Sequence, residues 1–205
     1  MTSLTIAPAV ADDLDEAAVV LAEAFRLDPV LRAVVPEGRD RDHRLRELFR
    51  VTLAAGPFPT GAVDLARDDT GRIVGVAAWE GPAGVRGETR RYVRHLPTLL
   101  RALGLSGLRR AARISAASQV YRPRQPHWYL AEIGVSSRAR GLGVGARLLT
   151  TRLDALDRMR LPAYLESSTP VNRRLYARLG FTELGAIPGI DGAEPVAMLR
   201  LPRAD

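Results

Sequence analysis

One stretch limits the fold of this chain more than any other. An apolar run, Trp128 to Val135, leads through Arg140-Gly-Leu-Gly-Val-Gly145 into a segment with helically spaced leucines, Ala146 to Met159. A strand that turns through glycines into a helix makes a corner suited to phosphates. Glycine lets the backbone take positive φ and lets a ligand come close. The first turn of the helix offers unpaired N–H groups and the positive end of its dipole. The next β-type run, Ala163 to Ser167, completes a strand–helix–strand unit. Such a crossover suggests parallel neighbours, so the spacing predicts an α/β chain with a mixed sheet and helices against it.

The rest of the chain builds outward from this unit. Leu4 to Val10 reads as a short strand. Asp12 opens a helix carrying Ala18, Leu21, Ala22 and Phe25, which Asp28-Pro29 is expected to end. A second helix over Arg39 to Leu53 puts Leu45, Leu48, Phe49 and Leu53 on one face, and Gly56-Pro-Phe-Pro-Thr-Gly61 breaks it. Ala62 to Arg67 and Arg72 to Trp79 form a hairpin across Asp68-Asp-Thr-Gly71, and a loop over Glu80 to Gly84 follows. Two arginine-rich helices, Tyr92 to Leu105 and Leu108 to Ala117, lie in an insertion spanning about 84–126 that carries no catalytic motif. Past the glycine corner come a helix over Ala146 to Arg160, a short helix over Asn172 to Leu179, and strands over Thr182 to Ile187 and Val196 to Leu201. A length of 205 residues suits a single domain, 1–205, holding that insertion.

Composition removes several functions. The chain has no cysteine, so disulfides, thiolate metal sites and a cysteine nucleophile are excluded. All 30 basic residues are arginine, so no lysine can form a Schiff base or act as a base, and every cation is a planar fork suited to phosphate or carboxylate. The net charge of +7 favours an anionic ligand. The arginines are dispersed and lack interleaved aromatics, so nucleic acid binding is not expected. His43, His95 and His127 are scattered without clustered acids, and no metal site is expected. No long apolar span and no signal-like start are present, so the expectation is no membrane association and a cytoplasmic location.

The glycine spacing selects among phosphate loops. A nucleotide triphosphate loop needs a lysine after its last glycine, and none exists. A dinucleotide fingerprint needs Gly-x-Gly-x-x-Gly, whereas the chain has Gly141-x-Gly143-x-Gly145. What remains is Arg140-x-x-Gly143-x-Gly145, joined about thirty residues on by Asn172-Arg-Arg-Leu-Tyr176-Ala-Arg-Leu-Gly180-Phe181. Physically, Asn172 suits a helix N-cap and Gly180 a helix stop. Together, in this order and spacing, the two segments resemble the signatures of the GNAT acyltransferase superfamily. The motif-bearing likeness runs from Trp128 to Phe181, and a looser one covers the N-terminal half.

That resemblance implies a mostly antiparallel mixed sheet with one parallel pair splayed at an acyl-CoA site, flanked by helices. It implies acetyl-CoA as co-substrate and an amine as acceptor. The strand edge at Ile133, Gly134 and Val135 would pair with the pantetheine. The N–H groups of Leu142, Gly143, Val144, Gly145 and Ala146 would hold the diphosphate with Gly141, Arg138 and Arg140; Arg147 is a further candidate and Asn172 opens the later helix. A backbone N–H near Val135 would polarise the thioester carbonyl. Tyr176 matches the family's tyrosine that serves the departing thiolate. Dimers are common in the superfamily, so a homodimer is among the states allowed.

The chemistry needs a neutral amine, and a free alkyl amine has a pKa of roughly 10, so a base must take its proton. Two strand carboxylates compete for that work, Glu132 and Glu166, because an acid among apolar strand residues is pushed toward higher pKa. Simple alternation places Glu132 on the face of Leu130 and away from Ile133 and Val135. His127 is expected at the surface, and Trp79 either in the core or beside the acceptor. Direct transfer to a small amine is the leading expectation. A protein or peptide acetyltransferase and a non-catalytic CoA-binding sensor are the alternatives.

Overall fold

The computed structural model describes residues 4–82, 88–190 and 192–203. Seven strands form one sheet: β1 (Thr5–Pro8), β2 (Gly61–Arg67), β3 (Ile73–Glu80), β4 (Trp128–Val135), β5 (Ala163–Ser167), β6 (Thr182–Ala186) and β7 (Val196–Arg200), in the order β1-β2-β3-β4-β5-β7-β6. The helices are α1 (Leu14–Ala24), α2 (Pro29–Val34), α3 (Arg41–Ala55), α4 (Pro57–Thr60), α5 (Glu88–Arg94), α6 (Leu96–Gln119), α7 (Val144–Met159) and α8 (Pro170–Arg178). Every strand pair is antiparallel except β4 and β5. The mixed, mostly antiparallel sheet with one parallel pair is therefore as expected.

β3 lies near the middle and is buried along almost its whole length. Val76 and Ala78 join one core with α1, α3 and α6, while Ala77 and Trp79 join a second with α7 and Tyr176 of α8. A strand covered on both faces reads as a continuous apolar run, and Ile73 to Trp79 is one. Trp79 is wholly buried on the α7 side, so it is a core residue and not part of an acceptor pocket.

Several boundaries differ from expectation for local reasons. Asp28-Pro29 starts a helix instead of only ending one: Asp28 Oδ1 accepts from the N–H groups of Val30 and Leu31 at 2.9 and 3.0 Å, and Pro29 occupies the first turn of α2. The pair carries both meanings, since proline suits the first helical position. The Gly56–Gly61 break holds the single turn α4. α7 begins at Val144, two residues before the expected start. The inserted helices are present, α6 being kinked at Gly104 (φ 65°, ψ 173°), while the start of the expected insertion at 84–87 lies outside the described residues.

Ladder register controls what β4 presents. Ala78 pairs with Glu132 and Trp79 with Leu130, so Ala131 is an extra, unpaired residue in β4. This β-bulge reverses the alternation expected for Glu132. Leu130 and Ile133 face α7 across the bulge, whereas Glu132 lies opposite Ala78 on the side of α1 and α3.

Gly134, opposite Val76, also faces α1. A Cβ there would stand 2.8 Å from Ala24 Cβ and 3.0 Å from Leu21 Cδ2. Its role in the fold is to let α1 lie against β4. Gly134→Ala is expected to lower unfolding free energy by about 1–3 kcal/mol through overpacking. Chemical denaturation would measure it, and an unchanged midpoint would refute the tight approach.

Candidate active site

Two features meet where β4 and β5 part. Their pairing stops at Leu130–Leu165, but β4 runs on to Val135, which leaves its edge from Ala131 onward open toward β5. A narrow cleft of about 50 Å³ lies in the gap, lined by Phe25, Leu130, Ala131, Ile133, Leu165, Glu166, Ser168, Asn172 and Tyr176. The bulge that turns Glu132 to one face thus sits at the point of splay.

β4 then leads into the glycine corner. Gly141 and Gly143 take φ of 78° and 75°, and a Cβ on either would meet nothing within 4 Å, so the corner is an open cradle of backbone. The first bond into α7 is Arg147 N–H to Gly143 O at 3.0 Å, which leaves the N–H groups of Val144, Gly145 and Ala146 at the bare helix start. Leu142 differs from expectation: its N–H turns inward to Ala139 O at 3.4 Å. Gly145 is helical, and a Cβ there would make an ordinary 3.6 Å contact with Val135.

Glu23 of α1 secures the entry to this corner. Its carboxylate accepts from Ser136 Oγ at 3.0 Å and from Ser137 N–H at 2.8 Å, and Arg138 Nε donates to Ser136 Oγ at 3.2 Å. These hydrogen bonds, led by Ser137, hold the Glu23 carboxyl below its usual range. Arg138 and Arg140 are exposed beside the cradle. Arg147 is directed elsewhere, donating to Leu4 O at 3.2 Å.

Tyr176 occupies the far wall. α8 is capped by Thr169, whose Oγ1 accepts from Asn172 N–H at 3.3 Å, so Asn172 is not the N-cap expected but a residue of the first turn, placed on the cleft lining. The helix stops through Gly180 (φ 95°), with Phe181 N–H returning to Tyr176 O at 3.1 Å. The Tyr176 ring is buried and meets Phe181 edge-on, 5.9 Å between centroids. Burial, followed by the charge of Asp28, pushes its phenol upward, so the hydroxyl stays protonated across the neutral range. Asp28 itself reaches across from α2 to accept from Ser168 Oγ at 2.5 Å.

The two expected carboxylates separate in character. Glu132 Oε2 is sealed from solvent and has no hydrogen-bond partner among the described residues. Burial and then the charge of Glu80 raise the Glu132 carboxyl to about 8, with a Thr52 hydrogen bond opposing. Glu166 is instead held by phenols: Tyr164 donates to Oε1 at 3.2 Å and Tyr129 stands 3.5 Å from Oε2. His127 is half-buried against Tyr164, rings 5.8 Å apart, with Nδ1 2.9 Å from Gln125 O. Burial, then the Arg122 charge, lowers its pKa despite the Gln125 hydrogen bond. Among the described residues, no cluster of three potential ligands could hold a metal.

Asp28, Ser168, Tyr129, Tyr164 and Arg122 were not singled out from the sequence. Asp28 had a readable signal in Asp-Pro as a helix start. The others lie in ordinary strand or turn contexts, and only tertiary pairing brings them together.

A splayed parallel pair, an open glycine cradle and a tyrosine on the facing helix define an acyltransferase of the kind the two sequence segments resemble. The model for the Acetyltransferase (GNAT) family matches residues 27–181, and the chain belongs to that family, which generally uses acetyl-CoA. It is 28% identical over 181 residues to an uncharacterized N-acetyltransferase of Schizosaccharomyces pombe, covering 83% of this chain and 71% of that protein. Among solved structures, it is similar to one described as histone acetyltransferase HPA2 and related acetyltransferase from Corynebacterium glutamicum, with a TM-score of 0.78, 33% identity, and 99% and 98% of the two chains covered. The fold is shared with arylalkylamine N-acetyltransferase 2 of Aedes aegypti, with a TM-score of 0.66, 16% identity, and 98% and 100% covered. No helix among the described residues is long and apolar enough to cross a membrane.

Proposed function

We propose that the chain transfers an acetyl group from acetyl-CoA to a primary amine of a small molecule, by direct attack in a ternary complex. One observation carries this reading: the cleft at the β4–β5 splay has Tyr176 in its wall, while the Glu132 carboxyl, raised to about 8, follows the bulge that sits at the splay. The cradle of Gly141 to Ala146, with Arg138 and Arg140, would receive the diphosphate, and the open edge of Ile133, Gly134 and Val135 the pantetheine. Glu132 would take the ammonium proton, directly or through water, and Tyr176 would donate to the sulfur as the thiolate departs. With no cysteine in the chain, no acyl-cysteine forms.

A small acceptor suits the walls of the site. α6 lies against α2 and α3, and the turn after it brings Arg122 onto Tyr129, so the side that Glu132 faces is roofed by the insertion. A protein acceptor is the second reading, supported by the description of the Corynebacterium glutamicum relative as a histone acetyltransferase.

Thiol release from acetyl-CoA, followed against small primary amines and a lysine-bearing peptide, tests both. Small amines are expected to raise turnover well above hydrolysis. Stimulation by the peptide alone would overturn the small-acceptor reading. Tight CoA binding with no response to any amine would overturn the enzyme.

A further inference from the structure

On the face of the sheet that Glu132 shares lies a second group of side chains that the transfer chemistry proposed above does not use. Tyr129 of β4 pairs in register with Tyr164 of β5, and their rings lie 5.8 Å apart at 37°. Both hydroxyls point to one carboxylate, Glu166, at 3.5 and 3.2 Å. Glu80 stands opposite Tyr129 on β3. Two aromatic rings and a carboxylate that spends its oxygens on phenols make a negative, aromatic corner within a chain whose net charge is +7. Glu166 also lines the cleft at the splay, so corner and cleft are continuous.

A cation already stands in that corner. The Arg122 guanidinium carbon lies 3.9 Å from the centroid of the Tyr129 ring, a cation–π distance, within the fields of Glu166 and Glu80. Its bonding differs from that of the structural arginines. Arg152 forks onto Asp64 at 2.9 and 2.6 Å, and Arg200 onto Asp157 at 2.7 and 2.6 Å. Among the described residues Arg122 makes no such fork, and its Nε is buried without a hydrogen-bond partner. It comes from the turn between α6 and β4, next to Tyr121, whose hydroxyl is fixed to Ala186 O at 2.8 Å. Arg122 thus fills the corner through the Tyr129 ring and hydroxyl and through charge, without the two-pronged carboxylate fork that would lock it there. On the same face, Oε2 of Glu132 is a second buried polar atom without a hydrogen-bond partner among the described residues.

We propose that the Tyr129–Tyr164–Glu166 corner is a cation subsite for the acceptor, filled by Arg122 until the acceptor's own distal positive charge displaces it. The acceptor class is then an amine carrying a second cationic group, a diamine or a guanidino-amine. Its reacting nitrogen enters at the splay while its far end lies over Tyr129 beside Glu166. An acidic acceptor is disfavoured, since Glu80 and Glu166 border its path. The inference rests on the amine-acetyltransferase reading above.

Short α,ω-diamines are compared with n-alkylamines of matched length, using thiol release for kcat/KM and calorimetry for binding to the CoA-loaded protein. A cation held over an aromatic ring beside a carboxylate is expected to favour the diamine by about tenfold or more in kcat/KM. Glu166→Gln should bring that ratio close to one, whatever it does to either amine alone. Arg122→Ala should raise it by emptying the corner. Equal use of both amines, or a preference that survives Glu166→Gln, overturns the subsite and leaves the acetyltransferase standing. So does an Arg122→Ala variant that loses the preference. If no amine is acetylated yet the diamine binds with an affinity that Glu166→Gln abolishes, the subsite stands and the transferase reading fails. Should Glu166→Gln not fold, the Arg122→Ala ratio decides.

Discussion

Glu132→Gln is expected to lower kcat/KM by about 10²–10⁴-fold, the usual contribution of a positioned base. It should also remove the acid limb of the pH profile near 8. A base works only when ionised, so with a carboxyl at about 8 the wild-type rate rises with pH up to that value and then levels. The amine's own ionisation appears in both proteins, and the difference between the profiles isolates Glu132. The second variant is Glu80→Gln: Glu80 raises the Glu132 carboxyl, so its loss should move the limb to lower pH. Unfolding would not explain the effect. The folded carboxyl lies above its unfolded value of roughly 4.3, so its contribution to stability is complete below that value and is lost as pH rises through about 8. Glutamine cannot ionise, so the variant escapes this loss in alkaline solution. An acid limb persisting unchanged in Glu132→Gln would remove Glu132 from the role of base.

The glycine corner was legible because its requirements are local. Positive φ at Gly141 and Gly143 and a helix start just after them follow from neighbouring residues alone. The α8 stop at Gly180 was legible for the same reason, while its start was misread because Thr169 and Asn172 both suit caps and only the first lies outside the helix. The face of Glu132 was not legible. Alternation along a strand holds until a bulge, and the bulge at Ala131 depends on how β3 and β4 pair across nearly fifty residues of intervening chain. The Tyr129–Tyr164–Glu166 group was hidden for a similar reason, since its members meet through parallel register. Arg122 came from an insertion whose arginines all look alike in sequence, and only the fold sets it over Tyr129 without the carboxylate fork that Arg152 and Arg200 make.

Tyr176→Phe is expected to slow the chemical step by roughly 30- to 160-fold, while the dissociation constant for CoA stays close to wild type. The size follows from the phenol's state. A thiol's pKa is roughly 8.5, whereas burial and Asp28 push Tyr176 above the ordinary phenol range, so complete proton transfer to the sulfur is uphill. The proposed role is then a hydrogen bond that strengthens as charge gathers on sulfur. Bonds to charged groups are worth about 1.5–3 kcal/mol, and the upper part of that range gives the predicted slowing. A full general acid would cost up to about 10⁴-fold instead, so magnitude separates the two roles. Phenylalanine keeps the ring against Phe181 and leaves the α8 stop intact, so packing should survive. Single-turnover acetyl transfer measures the chemical step, and equilibrium titration measures CoA binding. A large loss of CoA affinity with an unchanged single-turnover rate would make Tyr176 a wall of the cleft and nothing more.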